Sequence, residues 1–124
     1  MGLGKQVRLN RLFSHPSGRL CTAAVDHYMT YQAGLPPGLR DLPDTLEKIV
    51  AARPDAISMN KGIAKNAWGP HAGKIPFIVQ CIFFTPSDTT IERVARPVEA
   101  LRLGADAIAV AIGVRGPNEG RYLK

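Results

Sequence analysis

The sequence places an acid and an imidazole directly after an apolar run, where Asp26 and His27 follow Leu20–Val25. A run of this length next to turn-forming glycine predicts a strand buried on both faces, and such strands belong to parallel sheets covered by helices. In parallel α/β folds, chemistry gathers at the carboxyl ends of the strands. A carboxylate there can exchange protons with a substrate hydroxyl within ~3 Å, so Asp26 is the candidate catalytic residue. His27 is a candidate substrate-binding residue. The alternative for Asp26 is a structural acid that bonds to loop amides, and the alternative for His27 is a histidine that is partly buried and already hydrogen-bonded.

A second strand, Ala56–Asn60, ends in the same way, with Lys61 and Gly62 after it. Asn60 and Lys61 are therefore further candidate substrate-binding residues, since an amide and an ammonium group suit an anionic ligand. Lys61 is an amine at a strand end, which is where a covalent lysine would be useful. Lysines beside glycines are ordinary at strand ends, so we do not assign Lys61 that role.

The elements needed to position these side chains follow from periodicity and breakers. Four strands are predicted, namely Leu20–Val25, Ala56–Asn60, Ile75–Phe84 and Ala105–Val114. Two helices are predicted, Asp44–Ala52, capped by Asp41 or Asp44, and Thr89–Leu103, kinked or interrupted at Pro97. The remaining segments are Gly4–Phe13, a short helix or capping segment, and Ile63–Gly73, a connector with at most one helical turn. Alternating strands and crossovers predict one parallel sheet, either half of an eight-stranded barrel or a small doubly wound sheet.

Composition limits the classes of function. The 124 residues are 45% hydrophobic and 21% charged, values typical of one globular domain spanning 1–124. The net charge of +6 is scattered without aromatic interleaving, which argues against nucleic-acid binding and favours a mild attraction for phosphorylated small molecules. No apolar run approaches the ~18 residues of a membrane span, and no signal peptide is evident, so a cytoplasmic location is expected.

The cysteine and glycine patterns contain no motif that indicates a bound metal or nucleotide cofactor. Cys21 and Cys81 fall in apolar runs and are expected to be buried thiols. No Cys/His cluster has the spacing of metal ligands, and no glycine-rich phosphate loop follows a strand. We therefore expect neither a metal nor another cofactor.

Several short motifs, taken in order, resemble one enzyme family. They are Gly4–Phe13, Gly18-Arg19, Val25–His27, Gly38-Leu39, Asp55-Ala56, Lys61-Gly62 and Leu101–Val110. In this order and spacing, over nearly the whole chain, they resemble the archaeal-type class I fructose-bisphosphate aldolase family. That family includes aminodideoxyheptulosonate synthases and autoinducer-processing thiolases. Tyr28 is a departure, since the family usually has glycine after Asp-His.

The resemblance implies the N-terminal half of a TIM barrel, here with four strands, that cleaves or forms a carbon–carbon bond through a lysine Schiff base. Asp26 matches the family's aspartate on the first strand. The family's tyrosine on the fifth strand and lysine on the sixth have no counterpart among these residues. We therefore expect a truncated chain that is inactive alone, acting on a sugar phosphate only when complete.

An open half barrel also implies partners. Unpaired strand edges are templates for association, so a homo-oligomer or a partner supplying the other half barrel is expected. The alternative function is a non-catalytic module for sugar-phosphate binding or assembly. A nucleic-acid binder is a third class, disfavoured by the scattered charge.

Overall fold

Four strands pair side by side in one parallel sheet. The computed structural model describes residues 2–27, 34–85, 91–112, 114, 116–117 and 119–122, and in it the four strands follow one another across the sheet in chain order. Its strands are β1 (Thr22–Ala24), β2 (Ala56–Met59), β3 (Phe77–Gln80) and β6 (Ala107–Ala109). Every pairing is parallel, as the sequence predicts. Chain order across the sheet fits half a barrel, because a doubly wound sheet reverses its strand order at a switch point.

A short hairpin and five helices complete the described chain. The hairpin strands are β4 (Ile82–Phe84) and β5 (Ile91–Arg93), and they pair antiparallel outside the main sheet. The helices are α1 (Leu3–Leu12), α2 (Leu42–Ala52), α3 (Lys61–Ala67), α4 (Pro97–Arg102) and α5 (Glu119–Tyr122). Single 3₁₀ turns lie at Pro37–Leu39 and Gly69–His71.

Helix α2 forms where the sequence predicts it and shows why. Asp41 is the cap, because its Oδ1 accepts a hydrogen bond from the backbone N–H of Asp44 at 3.2 Å. Pro43 lies in the first turn, where its missing N–H costs nothing. Arg53 ends the helix in the left-handed conformation, with φ of 51°. Leu46 is completely buried and attaches the helix to the sheet.

The two faces of the sheet differ sharply in burial. On one face Ile57, Met59 and Val79 are fully buried, and α2, α3 and α4 pack on the same core. Alternation puts Ser58 and its register neighbours, Ala24 and Ile78, on the other face. These side chains are exposed or half-exposed. The prediction that the first strand is buried on both faces is therefore wrong, since every residue of β1, an edge strand, is exposed or half-exposed. The open face is the one that a closed barrel would turn inward.

The predictions for the third strand and for the second helix need correction. The run Ile75–Phe84 is two strands, since β3 ends at Gln80 and the chain leaves the sheet to form β4. The predicted helix Thr89–Leu103 is wrong over residues 91–96, which contain β5 and no helix, and α4 begins only at Pro97; residues 89 and 90 of the prediction lie outside the described residues. Proline fits the first turn of a helix but not its interior, so Pro97 starts the helix instead of kinking it.

Helix α3 also exceeds the prediction of one turn. It has seven residues, and Ile63, Ala64 and Ala67 lie at helical spacing and pack against the core. This apolar stripe is short, which is why the sequence gives only a weak signal. Val98 and Leu101 of α4 are 48% and 55% exposed, so these two residues do not pack on the core.

Helix α1 is attached to the amino-terminal edge of the sheet by two arginines. Arg8 Nε donates to the carbonyl oxygen of Ala105 at 3.2 Å, and Arg11 Nη1 lies 3.1 Å from Asp106 Oδ1. Asp106 Oδ2 also accepts the backbone N–H of Phe77 at 3.3 Å, so one buried carboxylate joins α1, β3 and the start of β6. The short-helix interpretation of Gly4–Phe13 is therefore confirmed.

The two cysteines are free thiols in different environments. Cys81 is buried as expected, and burial is the main cause that raises its pKa above the ordinary value. Cys21 is exposed, contrary to expectation, because β1 is an edge strand that has a neighbour only on one side. Among the helices described, none has both the length and the apolar character needed to cross a bilayer.

Candidate functional site

The carboxyl edge of the open face carries a polar cluster from two neighbouring strands. Ala24 and Ser58 are register neighbours, so Asp26 and Asn60, each two residues further on, continue the same face by alternation. The backbone N–H of Val25 still bonds to the carbonyl oxygen of Ser58 at 2.8 Å, so the parallel pairing reaches the residue before Asp26. The two strands therefore bring Asp26 and Asn60 together, as the sequence predicts for strand ends.

Two hydrogen bonds fix Asp26. Ser58 Oγ donates to Asp26 Oδ2 at 2.9 Å, and Asn60 Nδ2 donates to the backbone carbonyl oxygen of Asp26 at 3.0 Å. The Asp26 side chain is 21% exposed, so the carboxylate is held by protein while remaining accessible to a small molecule. This arrangement suits a carboxylate that exchanges a proton with a bound ligand.

Ser58 is a functional candidate that the sequence analysis missed. It is the only hydroxyl residue in the strand Ala56–Met59, between the fully buried Ile57 and Met59. A lone polar residue in a buried strand is the signal that identifies the inward face. The sequence alone does not show which residue the hydroxyl contacts, so Ser58 could be recognised as a candidate only from the structure.

His27 lies beside Asp26 but outside hydrogen-bond range of its carboxylate. His27 Nδ1 is 3.8 Å from Asp26 Oδ1, and the histidine side chain is 35% exposed. A protonated His27 would therefore interact with Asp26 through charge alone. The arrangement leaves the imidazole at the edge of the cluster, where it can meet a ligand.

Lys61 is directed away from this cluster. Its Nζ lies 2.9 Å from Glu99 Oε1 of α4, and Glu99 Oε2 accepts the backbone N–H of Arg96 at 2.7 Å. The hydrogen bond from Lys61 is the main cause that lowers the pKa of Glu99, followed by the bond from Arg96. Lys61 therefore belongs to a separate charged group on the same edge.

The predicted edge of strand ends also changes at the third and fourth strands. Gln80, not Phe84, ends the third strand of the sheet, and its Nε2 donates to the carbonyl oxygen of Ile82 at 2.9 Å. The fourth strand ends at Ala109, before the predicted Val114. Tyr28, noted in the sequence, lies outside the described residues.

Two further side chains with polar atoms, Trp68 and His71, are buried and lie apart from the accessible cluster. Their ring centroids are 5.4 Å apart. Within the described residues, no three His, Cys, Asp or Glu side chains converge as a metal site would require.

Comparisons with known proteins agree with this fold. No protein-family model matches the sequence. The chain is 34% identical over 119 residues to the 2-amino-3,7-dideoxy-D-threo-hept-6-ulosonate synthase of Halobacterium salinarum, a match that covers 94% of this chain and 43% of that protein.

Solved structures of fructose-1,6-bisphosphate aldolases have a similar fold. A Schiff-base-forming aldolase studied through its reaction intermediates gives a TM-score of 0.72 at 22% identity, over 95% of this chain and 48% of the aldolase. An archaeal aldolase gives a TM-score of 0.70 at 23% identity with the same coverage. The chain thus spans about half the length of the proteins that it matches.

Proposed function

Since the chain is related to the archaeal-type class I fructose-bisphosphate aldolase family and spans about half the length of the relatives it matches, we propose that it forms one half of an aldolase-type active site. In this proposal the chain supplies the acid–base residue, Asp26. The Schiff-base lysine comes from the half of the barrel that these residues do not include. The substrate is a phosphorylated sugar.

The geometry of Asp26 is the observation that carries the proposal. Its carboxylate stands at the carboxyl edge of the open sheet face, where Ser58 Oγ donates to it at 2.9 Å. Asn60 holds its backbone at 3.0 Å. A carboxylate prepared in this way, and still accessible, is what proton transfer during carbon–carbon cleavage requires.

The proposed chemistry divides between the two halves. A lysine amine condenses with the substrate ketone, releasing water, and the iminium withdraws electrons from the neighbouring bond. Asp26 takes the proton of the β-hydroxyl group as the bond between the α and β carbons breaks, which leaves an aldehyde and an enamine. His27 and Asn60 orient the substrate at the same edge, and Lys61 interacts with its anionic end.

The unpaired edges and an exposed apolar stripe also support assembly. Among the described strands, β1 and β6 each pair on one side only, and Ile108 of β6, which continues the packed face beside Val79, is 39% exposed. Beyond β6, alternate apolar residues remain exposed, with Val110 at 56% and Ile112 at 46%. Such a stripe is unusual on an isolated domain, so a second copy or the other half barrel is expected to cover it. Assembly without catalysis is the alternative function.

A chimera tests the catalytic role. In it, this chain replaces the segment of the Halobacterium salinarum synthase that it matches. Asp26→Asn is expected to lower turnover about a hundredfold or more, because proton transfer is lost while the shape is kept. The matched control is Asp44→Asn, a carboxylate on the surface of α2 that is 51% exposed. Equal turnover in the Asp26→Asn chimera and its parent, with unchanged circular dichroism, would contradict the assignment.

Borohydride trapping tests the inactivity of these residues alone. The purified chain, incubated with a sugar-phosphate ketone and borohydride, is expected to form no covalent adduct, since its strand-end lysine, Lys61, is paired with Glu99. An adduct that disappears in Lys61→Ala would contradict this part of the proposal and identify Lys61 as the amine.

A further inference from the structure

A group of basic side chains lies next to the Asp26 cluster and outside it. Lys61 at the start of α3, Arg93 at the end of β5 and Arg96 before α4 line an open cavity of about 550 Å³, with Glu99 as its acidic member. We call these four residues the basic cluster. Three positive groups and one carboxylate leave a net charge of +2 on the lining.

The charges converge instead of being spread over the surface. Glu99 bonds to Lys61 through Oε1 and to the Arg96 backbone through Oε2, so one carboxylate joins two members of the cluster. The buried thiol of Cys81 lies close enough that Glu99 raises its pKa, while Arg93 and Lys61 lower it. All four residues thus line the same open cavity.

The backbone beneath the cluster is fixed. The N–H groups of Val94 and Ala95 both point to the carbonyl oxygen of Cys81, at 2.9 and 3.4 Å. Ala95 is 2% exposed, so the segment that joins Arg93 to Arg96 is anchored in the core. Both guanidinium groups therefore start from a rigid support, which reduces the entropy lost when they bind a ligand.

The ionic pairing of the cluster is incomplete. Lys61 is matched by Glu99, whereas no carboxylate in the described part of the chain forms an ion pair with Arg93 or Arg96. Guanidinium groups bind phosphoryl oxygens through paired hydrogen bonds, and an ammonium group adds a point charge. A tetrahedral dianion suits two such arginines and a lysine.

We propose that the basic cluster is a phosphoryl-binding subsite, occupied by the phosphate group of a small phosphomonoester. Lys61 follows Asn60, which holds Asp26, so the subsite adjoins the catalytic cluster along one edge of the sheet. The identity of the ester as substrate rests on the proposed function, but binding of the phosphoryl group does not. In this proposal the bound phosphate forms ion pairs with Arg93 and Arg96, and it competes with Glu99 for the ammonium group of Lys61.

Titration of the full chain with inorganic phosphate and with glycerol 3-phosphate tests the proposal, with glycerol as the neutral control. Backbone amide shifts in nuclear magnetic resonance locate the binding. Both anions are expected to shift the amides of Arg93, Arg96 and Glu99, and glycerol to shift none. Arg93→Ala and Arg96→Ala are each expected to weaken binding roughly tenfold. The control Arg102→Ala, on the exposed side of α4, leaves it unchanged.

The variant Glu99→Gln is expected to change phosphate affinity in the opposite direction to the arginine variants. The amide oxygen still accepts the Arg96 N–H, but the repelling charge is gone and Lys61 is released, so phosphate binding is expected to tighten several-fold. The subsite assignment would be overturned if all variants bound phosphate with equal affinity, or if the parent chain did not bind phosphate. Tighter binding of inorganic phosphate than of glycerol 3-phosphate would overturn the ester as ligand. Asp26→Asn keeps phosphate binding whether or not the proposed catalysis is right, so the two proposals can fail separately.

Discussion

Ser58 Oγ donates a 2.9 Å hydrogen bond to Asp26 Oδ2, and this contact joins the carboxyl ends of two parallel strands. The residues are 32 positions apart in the chain, and the register of β1 with β2 brings them together. A hydroxyl that holds a carboxylate in one rotamer would reduce the cost of reorganisation in the proposed proton transfer. The contact is therefore the part of the site that tertiary structure contributes.

Ser58→Ala is expected to lower turnover of the chimera about tenfold, less than Asp26→Asn, because the carboxylate remains but is no longer fixed. Turnover at saturating substrate is the measurement. Thr22→Ala, a hydroxyl removed from the exposed start of β1, is the matched control. An unchanged rate for Ser58→Ala would show that its bond to Asp26 is only structural.

Arg11→Met is expected to destabilise the chain by about 1–3 kcal/mol, since it leaves the buried Asp106 carboxylate without its cation. The Asp106 side chain is only 1% exposed, whereas that of Arg11 is 47% exposed. Urea unfolding followed by circular dichroism measures the loss. Arg102→Met on α4 serves as the control, and a stability equal to that of Arg11→Met would mean that α1 does not depend on this pair.

Lys61→Met is expected to raise the pKa of Glu99 toward its ordinary value of 4.5, because the hydrogen bond that lowers it is removed. Since the pKa of folded Glu99 lies below that of the unfolded chain, its ionised form favours folding above pH 4.5, and this contribution is lost as pH falls through the lowered pKa. A carboxyl titration by nuclear magnetic resonance measures the shift. Lys65 is an exposed lysine of α3, and the control variant Lys65→Met should leave the pKa of Glu99 lowered.

Val110→Lys is expected to reduce the mass of the chain in solution, because it puts a charge in the exposed apolar stripe beyond β6. The parent is expected to associate, as measured by light scattering during size-exclusion chromatography. Val98→Lys, on α4, replaces a residue that is 48% exposed and should keep the parent's mass. A monomeric parent would refute assembly through this stripe.

The parallel sheet and the position of Asp26 were accessible from the sequence for one physical reason. Strands of parallel sheets are continuous apolar runs, and polar residues that interrupt their ends mark the edge where parallel folds carry their chemistry. Asp26 and Asn60 obey that rule, and the cap of α2 at Asp41 follows equally local chemistry. Local patterns determine these features because each depends on a few neighbouring residues.

Other features depended on partners far along the chain. The run Ile75–Phe84 reads as one strand, but its second part pairs with Ile91–Arg93 instead of continuing in the sheet. The sequence predicts a buried Cys21, yet this residue is exposed next to the edge strand β1.

Ser58 bonds to Asp26 across two strands, and Lys61 bonds to Glu99, 38 residues away, instead of facing the carboxylate. The sequence alone determined which residues end the strands and which segments bury apolar surface. Only the tertiary structure decided which of those side chains meet, because the partner of a side chain depends on register and on the choice of sheet face, and neither is encoded in local periodicity.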